Sequence, residues 1–478
     1  MSYKSNFDIV KTYGSVVQFL RHSCQTKNLM ALKLLHAHLL RKSSLFFSPY
    51  LHAQLIFCYT TYPCKNNLKT LTSCLKFIHP KNPMPFNVLI SEYCRNGFAF
   101  YAIKTLSLMH SETVPLDTYA LCSSITAASS IQSLDFGKQI HAHVTKLGWL
   151  SSVFVGSALI DLYAKRSFVG DAVMLFEELP EKNTVCANGL LSGYGETKLW
   201  VQGLEFFRKM PSLDLDYDNY TLLATLRSCA GLSAIELGRQ VHAYVVRKFY
   251  DLESDVFLQS SLIEMYGKCG SVRNAFQVFG LAGFRVRGRR TRDIVVWTSM
   301  LGVYGRNGHY SEVVELFKEM LNEGIKPDGV AFVTVISACG HTGQVDLGIE
   351  YFESMTGNFE LSPGPEHYSC VVDLLCRAGR LDKAWKLVNE MLPEGEESLS
   401  ASLWGPLVSA CEEHGNIELG KLAAQRALKL EPKNVGIYVM LSNLYARFGK
   451  WDELSELRDL MQQRGIKKEA GSSWIELR

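Results

Sequence analysis

Residues Thr118–Asp218 read TYALCSSITAASSIQSLDFGKQIHAHVTKLGWLSS, then VFVGSALIDLYAKRSFVGDAVMLFEELPEKN, then TVCANGLLSGYGETKLWVQGLEFFRKMPSLDLDYD. These are segments of 35, 31 and 35 residues, and each reads as a pair of amphipathic helices. The trio then starts again. Gly137-Lys-Gln-Ile-His141-Ala returns as Gly238-Arg-Gln-Val-His242-Ala, and Asn87 in FNVLISEY stands 101 residues before Asn188 in ANGLLSGY. A fixed period replaces the question of domains with one of repeats. A helical hairpin of this size cannot bury its apolar face alone, so neighbours must stack, and the fold class is an all-α solenoid.

The rest of the chain extends the same grammar in both directions. From Pro83 the units are 83–117, 118–152, 153–183, 184–218, 219–255, 256–293, 294–328, 329–364 and 365–396. Apolar residues recur at helical spacing, as in Leu159, Ile160, Leu162 and Tyr163, then Ala172, Leu175 and Phe176. A Gly often marks the turn between the two helices (Asn96-Gly97, Asn307-Gly308), where it admits the left-handed conformation. Pro or Asp closes the units, as in Pro327-Asp328. Residues 13–82 read as two degenerate repeats, because Leu34-Leu-His36-Ala-His38 echoes the HAHV signature. Residues 397–478 form two further helical hairpins with Gly415 and Gly449 in their turns.

Composition agrees with a packed array. The apolar content of 47% and charged content of 20% argue against a disordered chain, and a net charge of +3 points to no particular partner. Residues 1–82 carry eleven Lys/Arg and a single acid, Asp8, and the first Glu is Glu92. That bias matches a short organelle-targeting leader within residues 1–12, with a basic repeat surface as the plainer alternative. No apolar run is long enough to span a bilayer. The thirteen Cys include no C-x-x-C. Cys229, Cys339 and Cys411 recur at one repeat position, as small core residues rather than ligands, so the chain reads as intracellular with reduced thiols.

The motifs FNVLISEYCRNG, VFVGSALIDLYAK, GKQIHAHVTKLG and VVWTSMLGVYGRNGHYSEVVELFKEMLNEGIKPD resemble pentatricopeptide repeats. The alternation of 35-residue, longer and 31-residue units is similar to the plant subfamily that mixes standard, long and short repeats. The stretches ASLWGPLVSACEEHGNIELGKLAAQRALKLEPKN and VGIYVMLSNLYARFGKWDELSELRDLMQQRGIKKEAGSSWIELR resemble that subfamily's E-type motifs, themselves similar to tetratricopeptide repeats. The resemblance implies a right-handed superhelix, binding of single-stranded RNA in a plant organelle, and the E class without the deaminase domain that some relatives carry. It points to a mitochondrial protein, with the chloroplast as the alternative.

In such repeats the fifth and last residues of a unit discriminate bases, so the resemblance implies specific readers. Asn87 with Asp117, and Asn188 with Asp218, favour U. Ser157 with Asn183 favours A. Ser260 with Asp293, and Thr298 with Asp328, favour G. The other pairs give no base, and the register is 5′-U-n-A-U-n-G-G-n-n. The competing reading is that these Asn, Ser and Asp residues only cap helices. The second residue of a unit would stack on bases: Met84, Phe154, Val185, Phe257 and Val295. For these the competing reading is ordinary core between repeats. Arg285, Arg287, Arg289, Arg290 and Arg292 form an insertion before Asp293 and are candidate phosphate contacts, with a solvated loop as the plainer alternative.

Catalysis finds no support in the sequence. A zinc deaminase needs H-x-E followed by P-C-x-x-C, and His110-Ser-Glu112 is followed by no such pair. His36, His141 and His242 share one repeat position and read as packing residues. No enzyme, metal, cofactor or small-molecule substrate is expected. The implied role is site recognition for C-to-U RNA editing, with a deaminase-bearing or editing-factor partner recruited through residues 397–478. RNA stabilisation, splicing or translation is the alternative outcome. A tetratricopeptide-like protein scaffold is the alternative of another class, and it calls for a groove lined by Lys/Arg that clamp carboxylates.

Overall fold

The computed structural model describes residues 16–20, 22, 29–41, 49–60, 82–248, 255–286, 289–390 and 403–466. The leader expected at 1–12 lies outside the described residues, as does Arg287. Two compact units divide the chain, Met1–Leu232 and Ser233–Arg478.

In the first unit, Leu29–Arg41 and Pro49–Thr60 precede a run of helical hairpins. The hairpins are Met84–Arg95 with Ala99–Ser111, Thr118–Ser130 with Leu134–Lys146, Val153–Lys165 with Val169–Glu178, and Thr184–Glu196 with Trp200–Lys209; the leading helix Asn219–Leu232 comes after them. In the second unit, Ile235–Lys248 precedes Val256–Lys268 with Val272–Leu281, Ile294–Arg306 with Tyr310–Asn322, Gly329–Thr342 with Val345–Gly357, and Pro365–Arg377 with Leu381–Glu390. Two hairpins end the run of described helices, Trp404–His414 with Ile417–Leu430 and Val435–Arg447 with Trp451–Gln463. Within each unit, the helices of a hairpin pack on each other, and leading helices pack on the leading helix of the next repeat. This is an all-α solenoid.

The leading helices begin where the sequence supplies a cap. Asp117, Asn183, Asp255 and Asp328 each accept a hydrogen bond from the backbone N–H three residues on. Such a cap satisfies one of the donors a helix N-terminus leaves unpaired, and losing it costs about 0.5–2 kcal/mol. The core then takes residues at helical spacing. In Val153–Lys165 these are Val155, Leu159, Ile160, Leu162 and Tyr163, all buried. Burying each large apolar chain contributes roughly 1.5–3 kcal/mol.

Two features depart from the sequence reading. Turns between helices do not require Gly: Gln132, Ser167, Lys198 and Ser233 take φ of 55–64° where Gly270 and Gly308 take 73° and 79°. These residues are exposed, and at Gln132, Ser167 and Lys198 backbone hydrogen bonds back to the last turn of the preceding helix accompany a conformation that costs an L-residue about 1–2 kcal/mol. The arginine insertion is also more than a loop. Phe284–Val286 and Arg289–Thr291 pair antiparallel, with Arg285 opposite Arg290 and Val286 opposite Arg289. Its side chains through Thr291 lie outside the described residues.

Candidate nucleic-acid interface

The second residue of a repeat lies two positions after the residue that caps its leading helix and one position before the inward-facing third residue. In the structure it points to solvent. Met84, Phe154, Val185, Phe257 and Val295 are all exposed, from 41% at Val295 to 74% at Phe154. The core alternative therefore fails for all five. The long repeats do the same with Tyr119, Tyr220 and Val330, exposed by 75%, 73% and 62%. Sequence reasoning misses those three because long repeats yield no base pairing code, although their position alone marks them. Met84, Tyr119, Phe154, Val185 and Tyr220 thus recur at one position in the first unit, and Phe257, Val295 and Val330 in the second. Large apolar side chains held repeatedly in solvent call for a partner surface. Flat aromatic faces suit nucleobases, which stack on them in sequence-tolerant fashion.

In two repeats the fifth and last residues meet. Asn188 Nδ2 donates to both carboxylate oxygens of Asp218, at 2.9 Å each. Asn87 Nδ2 donates to Asp117 Oδ2 at 2.6 Å. In the hydroxyl repeats the fifth residue turns its proton back on its own helix. Ser157 Oγ donates to the Val153 carbonyl at 2.8 Å, Ser260 Oγ to the Phe257 carbonyl at 3.0 Å, and Thr298 Oγ1 to the Ile294 carbonyl at 3.0 Å. That leaves each hydroxyl oxygen as an acceptor. Ser260 is buried and the least accessible of the three.

The capping alternative and the reading role turn out to be compatible. Asp117 Oδ1 accepts the Ala120 N–H while Oδ2 takes the Asn87 amide. Asn183 and Asp328 cap through Oδ1, from Cys186 N and Ala331 N, both at 2.9 Å. Asp218 Oδ1 likewise accepts from Thr221 N at 2.8 Å. Capping uses one side-chain atom and fixes the rotamer; at Asp117 and Asp218 the repeat's own Asn amide takes the second oxygen. Asp293 is the exception. It takes the Val295 N–H, one residue earlier than the others, directly after the arginine hairpin.

Of the five arginines, Arg292 has a described side chain, and the fold engages it. Its Nε donates to the Phe279 carbonyl at 3.0 Å, its guanidinium lies over the Phe279 and Trp297 rings, and it pairs with Glu323 at 3.5 Å. A guanidinium stacked and paired in this way is an anchor for the hairpin base, which displaces the expectation that it contacts phosphate. The side chains of Arg285, Arg289 and Arg290 lie outside the described residues.

The remaining titratable groups are structural. His36, His141 and His242 each place Nδ1 against a tyrosine hydroxyl, of Tyr59, Tyr163 and Tyr266, at 3.1, 2.9 and 2.9 Å. Burial pushes all three imidazoles below their usual range and raises the hydroxyls of Tyr163 and Tyr266. Cys229, Cys339 and Cys411 are fully buried, and burial lifts the thiols of Cys339 and Cys411 to about 11. Among the described residues no group of three His, Cys, Asp or Glu is placed to hold a metal ion, and no helix is long and apolar enough to cross a membrane.

Family models agree with this geometry. The PPR repeat model matches residues 85–114, 157–184, 185–215, 260–281 and 330–358, related repeat models match 292–341 and 359–392, and the E motif matches 414–476. A putative pentatricopeptide repeat-containing protein of Arabidopsis thaliana is 34% identical, over 95% of this chain and 72% of its own length. A mitochondrial pentatricopeptide repeat-containing protein of the same plant is 35% identical, over 83% of this chain and 60% of its own. The chloroplastic protein CRR2 from Arabidopsis thaliana is 36% identical, over 76% of this chain and 53% of its own. The chain therefore spans between about half and three quarters of these relatives. Among solved structures, the pentatricopeptide repeat protein PPR10 in complex with an 18-nt psaJ RNA element superposes with a TM-score of 0.68, at 16% identity, covering 87% of this chain and 60% of that one. That likeness speaks to the fold.

Proposed function

The chain belongs to the pentatricopeptide repeat family, with an E motif after its repeats, and on that premise we propose that it binds single-stranded RNA by sequence in a plant organelle. The observation that carries this reading is the coincidence of three things at each reading repeat. Each has an exposed apolar second residue and a polar fifth residue on its leading helix, and a last residue that caps the leading helix of the repeat after it. Relatives named as mitochondrial and as chloroplastic support an organelle, and the mitochondrion is our first choice. PPR10 bound to its RNA element is a precedent for the same fold gripping a single strand.

Within that reading, the protein serves C-to-U editing as the site-recognition factor. Its repeats hold the transcript 5′-U-n-A-U-n-G-G-n-n and place a cytidine a few nucleotides 3′ of the last repeat. The E motif at 414–476 supports recruitment of a deaminase-bearing or editing-factor partner, because RNA binding alone needs no such addition. In this reading the repeats hold the RNA and the deamination chemistry is assigned to that partner. Full-length protein should bind an RNA of the stated register at least tenfold more tightly than a scrambled one in a filter-binding assay. Equal affinity for both would overturn the assignment of bases, and no affinity at low salt would favour a protein scaffold instead.

A further inference from the structure

Two of the reading pairs are chemically identical, Asn87 with Asp117 and Asn188 with Asp218, yet their surroundings differ by one hydroxyl. Thr221 is the third residue of the repeat after the one that holds Asn188. Its Oγ1 donates a hydrogen bond to Asn188 Oδ1 at 2.7 Å and lies 2.9 Å from Asp218 Oδ1. Its backbone N–H meets the same carboxylate at 2.8 Å, and the Asp218 N–H reaches Oγ1 at 3.3 Å. The Asn188 amide is thereby held at both ends, its nitrogen on the carboxylate and its oxygen on the hydroxyl. In the first reading repeat the equivalent third residue is Ala120. There Asn87 Oδ1 is buried and has no hydrogen-bond partner.

We infer that Thr221 is a positioning residue for base discrimination, so that the repeat read by Asn188 and Asp218 selects uridine more strictly than the one read by Asn87 and Asp117. This rests on the proposed reading of RNA by the repeats. A buried acceptor with no partner favours any rotamer that returns it to water. The Asn87 amide therefore gives up part of its binding energy to being held in place, whereas Asn188 is held before RNA arrives. The third residue serves as backstop elsewhere too. Cys186 occupies that position after the repeat of Ser157, and its thiol lies 3.9 Å from the Val153 carbonyl to which the Ser157 hydroxyl also donates. Discrimination at one nucleotide is thus partly encoded in the next repeat.

The test compares full-length wild type, Thr221→Val, Thr221→Ser and Ala120→Thr on synthetic RNAs of the stated register. A single uridine is changed to cytidine at either of the two positions. In wild type the loss of affinity should be about tenfold larger at the Asn188 position than at the Asn87 position. Val at 221 keeps shape and the backbone cap, and should bring the Asn188 penalty down to the Asn87 level. Ser should retain it, and Thr at 120 should raise the Asn87 penalty. Circular dichroism of each variant separates misfolding from lost discrimination, and the gain expected from Ala120→Thr cannot arise from misfolding. A Val variant that is folded and discriminates as wild type overturns the inference while leaving RNA reading intact. If wild type itself shows no penalty at either position, the reading of bases fails and the inference with it.

Discussion

A capping residue and a base reader make different demands on one side chain, and under the proposed reading Asp117, Asn183, Asp218 and Asp328 must meet both. Capping needs an oxygen acceptor near the third N–H of the helix, which Asp and Asn supply equally well. Reading depends on what the other atom presents. Asp328 offers a second carboxylate oxygen, an acceptor that suits the N–H edge of guanine, whereas Asn183 offers an amide that can donate to adenine. Asp328→Asn should accordingly leave the melting temperature within about a degree, since the cap is kept. It should shift preference at that register position from G toward A, as measured by competition between two RNAs differing at that base. An unchanged preference for G would mean that Asp328 caps and does nothing more. These residues are legible in sequence because their position repeats. What stays hidden is the support behind them: Thr221 lies 33 residues from Asn188 and is an unremarkable Thr until the hydroxyl is seen on the amide.

At the level of helices, close approach is set by small residues that recur in register. Gly137, Gly238, Gly348 and Gly420 hold one position in the trailing helices of long repeats and the E region. Each faces a large apolar residue on the next leading helix, respectively Leu162, Met265, Leu374 and Leu444. A Cβ at Gly348 would stand 2.3 Å from Leu374 Cδ1 and 3.0 Å from Cys339 Cβ, so helix and core thiol are both in the way. At Gly238 the obstacle is the Met265 thioether at 2.4 Å, the flexible end of an unbranched chain. Alanine gains about 1 kcal/mol of helix propensity over glycine, against an overpacking cost of about 1–3 kcal/mol. Gly238→Ala should hence be near neutral in denaturant unfolding, and Gly348→Ala destabilising by roughly 1–2 kcal/mol. Gly193→Ala should cost the most, because its Cβ meets Ala164 Cβ at 2.5 Å and Cα at 3.1 Å, and no rotamer can move a backbone atom aside. An order in which Gly238→Ala is the worst would refute this account of the stacking. Helix existence and type are plain from periodicity, since buried positions repeat every three or four residues. The facing of the second residue is not, because Tyr or Phe at a helix start is written the same way whether it enters a core or a groove.

For the whole molecule, the period does more than repeat a shape, since it distributes one pH-sensitive contact along the chain. His36 with Tyr59 and His141 with Tyr163 lie in the first unit, and His242 with Tyr266 in the second. Their depressed imidazoles have burial as the main cause. His52 adds to it at His36, while Glu178 and Asp171 oppose it at His141. In the unfolded chain each histidine titrates near its ordinary value of about 6.5, and in the folded chain below it. Between those two values the unfolded state binds more protons, so stability rises with pH across that window. The contribution of the neutral, buried histidines is therefore complete above about pH 6.5 and is lost as the pH falls toward their folded values. The slope is at most about 1.4 kcal/mol per pH unit for each histidine. The melting temperature should be flat from pH 8 to 7 and decline below about 6.5. Replacing His242 by Gln, which keeps a polar group beside Tyr266 but cannot take the proton, should flatten the decline by about a third if the three contribute alike. A profile equally steep with Gln at 242 would show that the acid sensitivity arises elsewhere, and that this repeated histidine is a packing residue without a titration of consequence.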